Sequence, residues 1–366
     1  MDFIERFREA VRIKTDWPAG ALPGDAEAEA PLRRFQDFLA ESYPLFHRAA
    51  ERWILGPYSL IYRWPGVNGT GNDADSGMDS GAGDDGAVLI LAHYDVVPVE
   101  KEKWTADPFG AELKDGFIYG RGALDMKSIL IGIMEGAESL CAEGFRPRRD
   151  IWFAFGGDEE RTGILGAMAA AGWFAERKIR FSWVLDEGSP VAENQIKGIE
   201  VPLALFGIEE KGFLSLNLRV IQKPGHASRP PRVQAAAVLA RALCRISKRP
   251  FPFRLVPTAE QFFTQLSSLA SGPRSFFMGH ARALGPLFLR ALSSNPDIAS
   301  MLHTTVAMTQ LEGSAADNVM PSEVRAVINL RLLRPWTVEK AVNFIKKAIG
   351  DERVEVTIHG LGTNPV

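Results

Sequence analysis

The chain has 366 residues, 46% apolar and 24% charged, a composition that excludes wholesale disorder and points to two domains. A net charge of −3 leaves no basic surplus for nucleic acid or an anionic membrane, and no apolar run reaches the ~18 residues of a membrane-spanning helix. Cys141 and Cys244 form no C-x-x-C pair, which excludes a disulfide scaffold or a thiolate zinc site and fits a reducing, cytoplasmic location. Met1–Arg8 alternates charges without the apolar stretch of a signal peptide. Helical periodicity covers residues 2–15 and 29–52, and a strand is expected over 53–64. Asn68–Gly86 follows, with six Gly and five Asp in 19 residues. It buries too little to offset its ordering entropy and lacks the ligand spacing of a calcium loop, so it reads as a mobile connection between strands.

Beyond it the pattern becomes β-α-β. Ala87–Ala92 is a continuous apolar run, as expected of a strand covered on both faces. Helices are expected over 126–143 and 163–177, and buried strands over 151–155 and 181–185, which together imply a parallel sheet. After residue 205 the pattern changes. Leu214, Leu216, Leu218 and Val220 alternate with polar residues, the mark of a strand with one wet face. A helix over 231–247, a Phe-rich helical stretch over 251–300, strands over 304–312 and 322–334, a helix over 337–349 and a strand over 352–359 complete a smaller α+β domain. The expected division is 1–205, 206–360, and a return to the first domain over 361–366.

The chemistry-bearing residues fall at the expected strand ends. His93 and Asp95 follow the first buried strand, Asp125 precedes a helix, Asp158-Glu159-Glu160 closes the second strand, and Asp186-Glu187 closes the third. Singly, each has a structural explanation: a satisfied histidine, a helix cap, first-turn acids. None of these explains why all of them lie on one rim. Such a cluster repels itself unless cations neutralise it, and imidazole with carboxylates suits zinc, with manganese or cobalt as alternatives. No G-x-G-x-x-G after a strand, P-loop, H-E-x-x-H or G-x-S-x-G motif is present.

L-A-H-Y-D-V-V-P, the segment from Trp104 to Lys127 with its G-R-G-A-L-D-M-K, G-D-E-E and L-D-E-G resemble the co-catalytic zinc family of aminoacylase, carboxypeptidase S and succinyl-diaminopimelate desuccinylase. The helical stretch at 251–300 resembles the carboxypeptidase S and N-acyl-amino-acid hydrolase branch. The resemblance implies an α/β zinc-hydrolase domain with a mostly parallel sheet and an inserted ferredoxin-like α+β lid that pairs two copies into a homodimer. It implies two Zn2+: His93 and Asp186 on one, Asp125 bridging, Glu160 on the other. Glu159 would be the general base and Asp95 would orient His93. His226 of P-G-H-A-S would stabilise an oxyanion from the lid, and Asn318 and Arg331 would hold the carboxylate of a peptide or N-acyl amino acid.

The family's second metal site is completed by a histidine near the carboxyl terminus, and none of His47, His280, His303 or His359 matches that motif. The chain therefore reads as a truncated member. Its alternative function is a catalytically impaired module that binds carboxylates or assembles through its lid.

Overall fold

The computed structural model describes all residues except 1, 19, 68–85, 101–102, 189–190, 192, 194–195, 197–198, 294 and 315, so the mobile connection expected at Asn68–Gly86 lies, but for Gly86, outside the described residues. The chain divides into two units, Met1–Glu187 and Gly188–Val366, ahead of the division expected at 205. Among the described residues, no helix is long and apolar enough to cross a membrane.

The first unit opens with α1 (Phe3–Arg12), α2 (Ala26–Ser42) and α3 (Pro44–Ala49). The helical run of 29–52 is broken at Tyr43 because Pro44, with its fixed φ, starts a new first turn. The single strand expected over 53–64 is instead a hairpin of β1 (Glu51–Ile54) and β2 (Ser59–Trp64), which turns where Gly56 adopts a φ of 69°. β3 (Ala87–His93) comes next. A further hairpin, β4 (Glu112–Lys114) and β5 (Phe117–Tyr119), closes on Asp115-Gly116 with φ of 52° and 82°, the left-handed pair that a two-residue turn requires. A π-turn over Ala123–Lys127 leads into α4 (Ser128–Ala142), β6 (Ile151–Gly156), α5 (Ala167–Glu176) and β7 (Phe181–Leu185).

Five strands form one sheet in the order β1-β2-β6-β3-β7. β6, β3 and β7 are mutually parallel, as the β-α-β pattern implies, while β2 joins β6 antiparallel. Residues of β6 alternate between two cores. Phe153 and Phe155 pack with Leu130, Ile131 and Met134 of α4, whereas Trp152 and Ala154 pack with Ala170, Trp173 and Phe174 of α5. Helices thus cover both faces of β3 and β6, which is why those strands read as unbroken apolar runs, whereas β7 at the sheet edge, expected to be buried, is exposed from Ser182 to Leu185. The carboxyl ends of β3, β6 and β7 share one rim, where ligands bind in open α/β sheets.

The second unit holds β8 (Gly212–Ile221), β9 (Gly225–His226), α6 (Ala235–Lys248), α7 (Pro257–Ser267), α8 (Pro273–Gly279), α9 (Ala281–Leu292), α10 (Pro296–Leu302), β10 (Thr305–Glu312), β11 (Val319–Met320), β12 (Glu323–Leu332), α11 (Val338–Ile349) and β13 (Glu355–Ile358). Its antiparallel sheet runs β10-β12-β8-β13. Leu214, Leu216, Leu218 and Val220 of β8 pack beneath α6 and α11 against Val238, Leu239 and Ile345, so the alternation of the sequence becomes one dry and one wet face. α7, α9 and α10 close over a separate core of Phe263, Phe288 and Leu302. Residues 361–366, where a return to the first domain is expected, run beside the start of β8: the Thr363 amide donates to Phe213 O at 2.8 Å, and Glu210 and Val366 exchange two backbone hydrogen bonds.

Candidate metal centre

Parallel pairing sets His93 opposite Gly156, so β3 and β6 end side by side, while β7 ends at Leu185 opposite Ile90 and the chain runs on through Asp186-Glu187 towards the same rim. His93 is 3% exposed, and its Nδ1 faces the Asp95 carbonyl at 3.0 Å. In the neutral ring, a proton held there leaves the Nε2 lone pair towards the rim. The Asp95 carboxylate, 3.4 Å from Nδ1, also accepts the backbone N–H groups of Glu159 at 3.1 Å and Glu160 at 3.0 Å. One buried side chain therefore positions both the imidazole and the acidic turn after β6. Asp158 closes that turn from behind: its carboxylate accepts the amides of Leu165 and Gly166, each at 2.8 Å.

Asp125 arrives on the π-turn. Gly122 ahead of it has a φ of 76°, and a Cβ there would lie 2.3 Å from Val96 Cγ1, so this approach needs glycine. Just behind, Lys127 is fully buried and donates to the carbonyls of Ala10 at 3.0 Å and Ile13 at 2.7 Å, which ties the turn to the end of α1. Burial pulls its pKa down to about 7, against the pull of Asp16 and Asp95.

Around Nε2 lie Asp125 Oδ1 at 3.0 Å, Glu187 Oε2 at 3.5 Å and Glu159 Oε2 at 3.9 Å. Two groups of ligand atoms fall within 4.8 Å of one another: His93, Glu159 and Glu187, and His93, Asp125 and Glu160. Burial alone would lower the pKa of His93, but its hydrogen bond to Asp95 and the charges of Asp95, Glu159 and Glu187 outweigh it and raise it to about 9. Burial raises Glu159, Glu160 and Glu187 above the usual carboxylate range, and neighbouring carboxylates add to the rise. The rim is thus short of positive charge, and its imidazole and carboxylate oxygens are a donor set that zinc fits. Beneath it a cavity of about 390 Å³ is lined by Leu91, Phe155, Phe174 and Phe181 and reaches His93, Glu159 and Glu187.

Glu187, rather than Asp186, reaches His93. The Asp186 carboxylate folds back onto the Glu187 amide at 2.8 Å, while the longer glutamate extends to the imidazole. The signal for Glu187 was its place beside Asp186 in L-D-E-G.

In the second unit, β9 pairs with β11 so that His226 stands opposite Val319, and the Ala227 amide donates to Asn318 O at 2.9 Å. The Ser228 amide donates to His226 Nδ1 at 3.1 Å, which leaves the proton of the neutral ring on Nε2. Arg331 lies near the far end of β12 with its guanidinium 5.0 Å from the Phe213 ring centre. His226 and Asn318 flank the Glu323 end, so roughly 26 Å of extended strand separates them from Arg331 at about 3.3 Å per residue. Among the remaining histidines, His47 is held by Tyr62 Oη at 2.9 Å and Tyr43 O at 2.7 Å in the first core.

The model of peptidase family M20/M25/M40 matches residues 89–364. The chain is 32% identical over 97% of its length to the N-fatty-acyl-amino acid synthase/hydrolase PM20D1 of Xenopus tropicalis, and spans 66% of that protein. It is 32% identical over 98% of its length to "Probable carboxypeptidase S-like 2" of Dictyostelium discoideum, again spanning 66%. The chain thus spans about two thirds of the length of these relatives. Among solved structures, the M20 family metallo-carboxypeptidase Sso-CP2 of Sulfolobus solfataricus shares the fold with a TM-score of 0.66 at 18% identity, covering all of this chain and 79% of that one.

In metal-free protein the His93 ring is expected to titrate at about 9. It should do so at lower pH in Asp95→Asn, which removes the raising hydrogen bond and charge. Imidazole ¹⁵N chemical shifts followed against pH read both midpoints; a native midpoint at the ordinary ~6.5 would refute the charge balance described for the rim.

Proposed function

The chain belongs to peptidase family M20/M25/M40, and on that basis we propose that it is a zinc-dependent amidohydrolase that cleaves N-acyl amino acids or releases C-terminal residues from peptides. The observation that carries this reading is the convergence of His93, Asp125, Glu159, Glu160 and Glu187 on one strand-end rim. In this reading His93, Asp125, Glu160 and Glu187 are the residues that would hold the metal. Bound zinc lowers the pKa of water and polarises the scissile carbonyl.

The chain's own residues supply the rest. Glu159, raised by burial, accepts the proton of the attacking water and delivers it to the leaving amine. Asp95 keeps His93 and the Glu159–Glu160 turn in register. The Nε2–H of His226 donates to the oxyanion of the tetrahedral state, and Arg331 suits the planar substrate carboxylate. The ~26 Å of β12 between Glu323 and Arg331 favours a single one of the two, Asn318 or Arg331, for that carboxylate within a chain.

Glu159→Gln is expected to lower hydrolysis of N-acyl amino acids by ~10²–10⁴-fold while zinc content is unchanged, because the amide still accepts hydrogen bonds but not the proton. Turnover and metal analysis on the same samples test this; undiminished turnover removes Glu159 from the base role.

We also assign self-association to the second unit. β10 ends its sheet with Met308 and Leu311 exposed, and an uncovered apolar edge invites pairing. Sedimentation at tens of micromolar should give a dimer, and a strict monomer would reject the assignment.

A further inference from the structure

A groove of about 630 Å³ opens between the end of α3, the end of β2 and the turn beyond α4, and the hydrolytic reading leaves it without a role. Arg48 and Ala49 line it from α3, Trp64 from β2, and Phe145 and Arg146 from the turn. Trp64 pairs with Ile151, the first residue of β6, whereas His93 stands opposite Gly156, the last. The groove therefore lies at the opposite end of the sheet from the metal rim, roughly 16 Å along β6 at about 3.3 Å per residue. Its volume falls within the ~300–1,000 Å³ usual for small-molecule sites.

Arg48 and Arg146 are exposed, and among the described residues neither has a hydrogen bond, an ion pair or an aromatic ring as partner. The carboxylates nearby are already committed. Glu138 accepts the amides of Leu45 at 3.0 Å and Phe46 at 2.7 Å, and Asp150 accepts the Gly66 amide and Arg63 Nε, each at 2.8 Å. Two guanidinium forks thus share a groove that has no acid in its lining, on a chain whose net charge is −3. Between them the Phe145 ring is 44% exposed and is held edge-on by buried Trp64, with ring centres 5.8 Å apart. A carboxylate carries one charge and satisfies one fork. A phosphomonoester carries close to two at neutral pH, with three acceptor oxygens that serve both. The exposed ring beside them favours a planar group on the ester oxygen. We propose that this groove binds a small phosphomonoester of an aromatic ring, its phosphate between Arg48 and Arg146.

Calorimetric titration of the full, metal-free chain with phenyl phosphate tests the proposal. Phenyl phosphate should bind about tenfold or more tighter than benzoate, which has a single charge, and than inorganic phosphate, which lacks the ring. Arg48→Ala and Arg146→Ala should each weaken it by ~10–100-fold, the loss of a charge-assisted hydrogen bond. Their thermal midpoints should match the native one, since neither side chain has a partner to lose. Ala49→Trp, which fills the groove, should reduce binding while circular dichroism is retained. Arg148→Ala removes an exposed arginine outside the lining and should weaken binding less than either groove variant. No saturable binding of phenyl phosphate, affinity no better than that of benzoate, or equal losses in Arg148→Ala and the groove variants each overturn the proposal. The readout requires neither zinc nor turnover, so loss of hydrolysis leaves it intact, and its own failure leaves the hydrolytic reading intact.

Discussion

The Asp95 carboxylate accepts the Glu159 and Glu160 amides while it lies beside His93 Nδ1, and the geometry of the rim depends on that junction. It is 5% exposed, so its hydrogen bonds are sheltered from competing water. Through it, the end of β3 and the turn after β6 become one rigid unit. Asp158 and Lys127 extend the same logic outward, the first closing the acidic turn and the second anchoring the Asp125 turn to α1. Metal-binding groups are commonly oriented by a surrounding set of hydrogen bonds, and here that set is already in place.

Such precision is costly in charge. Several carboxylates face one imidazole across a few ångströms, and the elevated pKa values of Glu159, Glu160 and Glu187 record their mutual repulsion together with burial. A cation removes that penalty and gains the oriented lone pairs at once. Burial and the neighbouring carboxylates raise Glu159 from its ordinary value, the direction that suits the proposed general base.

The sequence made the parallel core legible because Ala87–Ala92 and Ile151–Phe155 are apolar without interruption, a pattern that only a doubly covered strand explains. The expected convergence of His93, Asp125 and the Glu159–Glu160 pair also follows from the pattern, since strand ends in α/β sheets collect at one edge. The hairpin at Asp115-Gly116 is hard to see in the sequence although D-G is a strong turn signal, because its strands are only three residues each and show little alternation. Gly56 hid a reversal inside what reads as one strand. The choice between Asp186 and Glu187 was not legible: adjacent acids differ by one methylene, and which one reaches an imidazole depends on how the chain leaves β7. The distance between Asn318 and Arg331 is likewise a property of strand length and register, invisible when both are read as motif residues.

The central claim is that the His93 rim is a cation site, and zinc binding to the 366-residue chain tests it most directly. Calorimetric titration paired with zinc-edge X-ray absorption should show at least one equivalent bound at micromolar zinc, with an imidazole nitrogen and carboxylate oxygens around it, and His93→Ala should lose that binding. A native chain that retains no zinc, or a His93→Ala chain that binds it as tightly, would contradict the account.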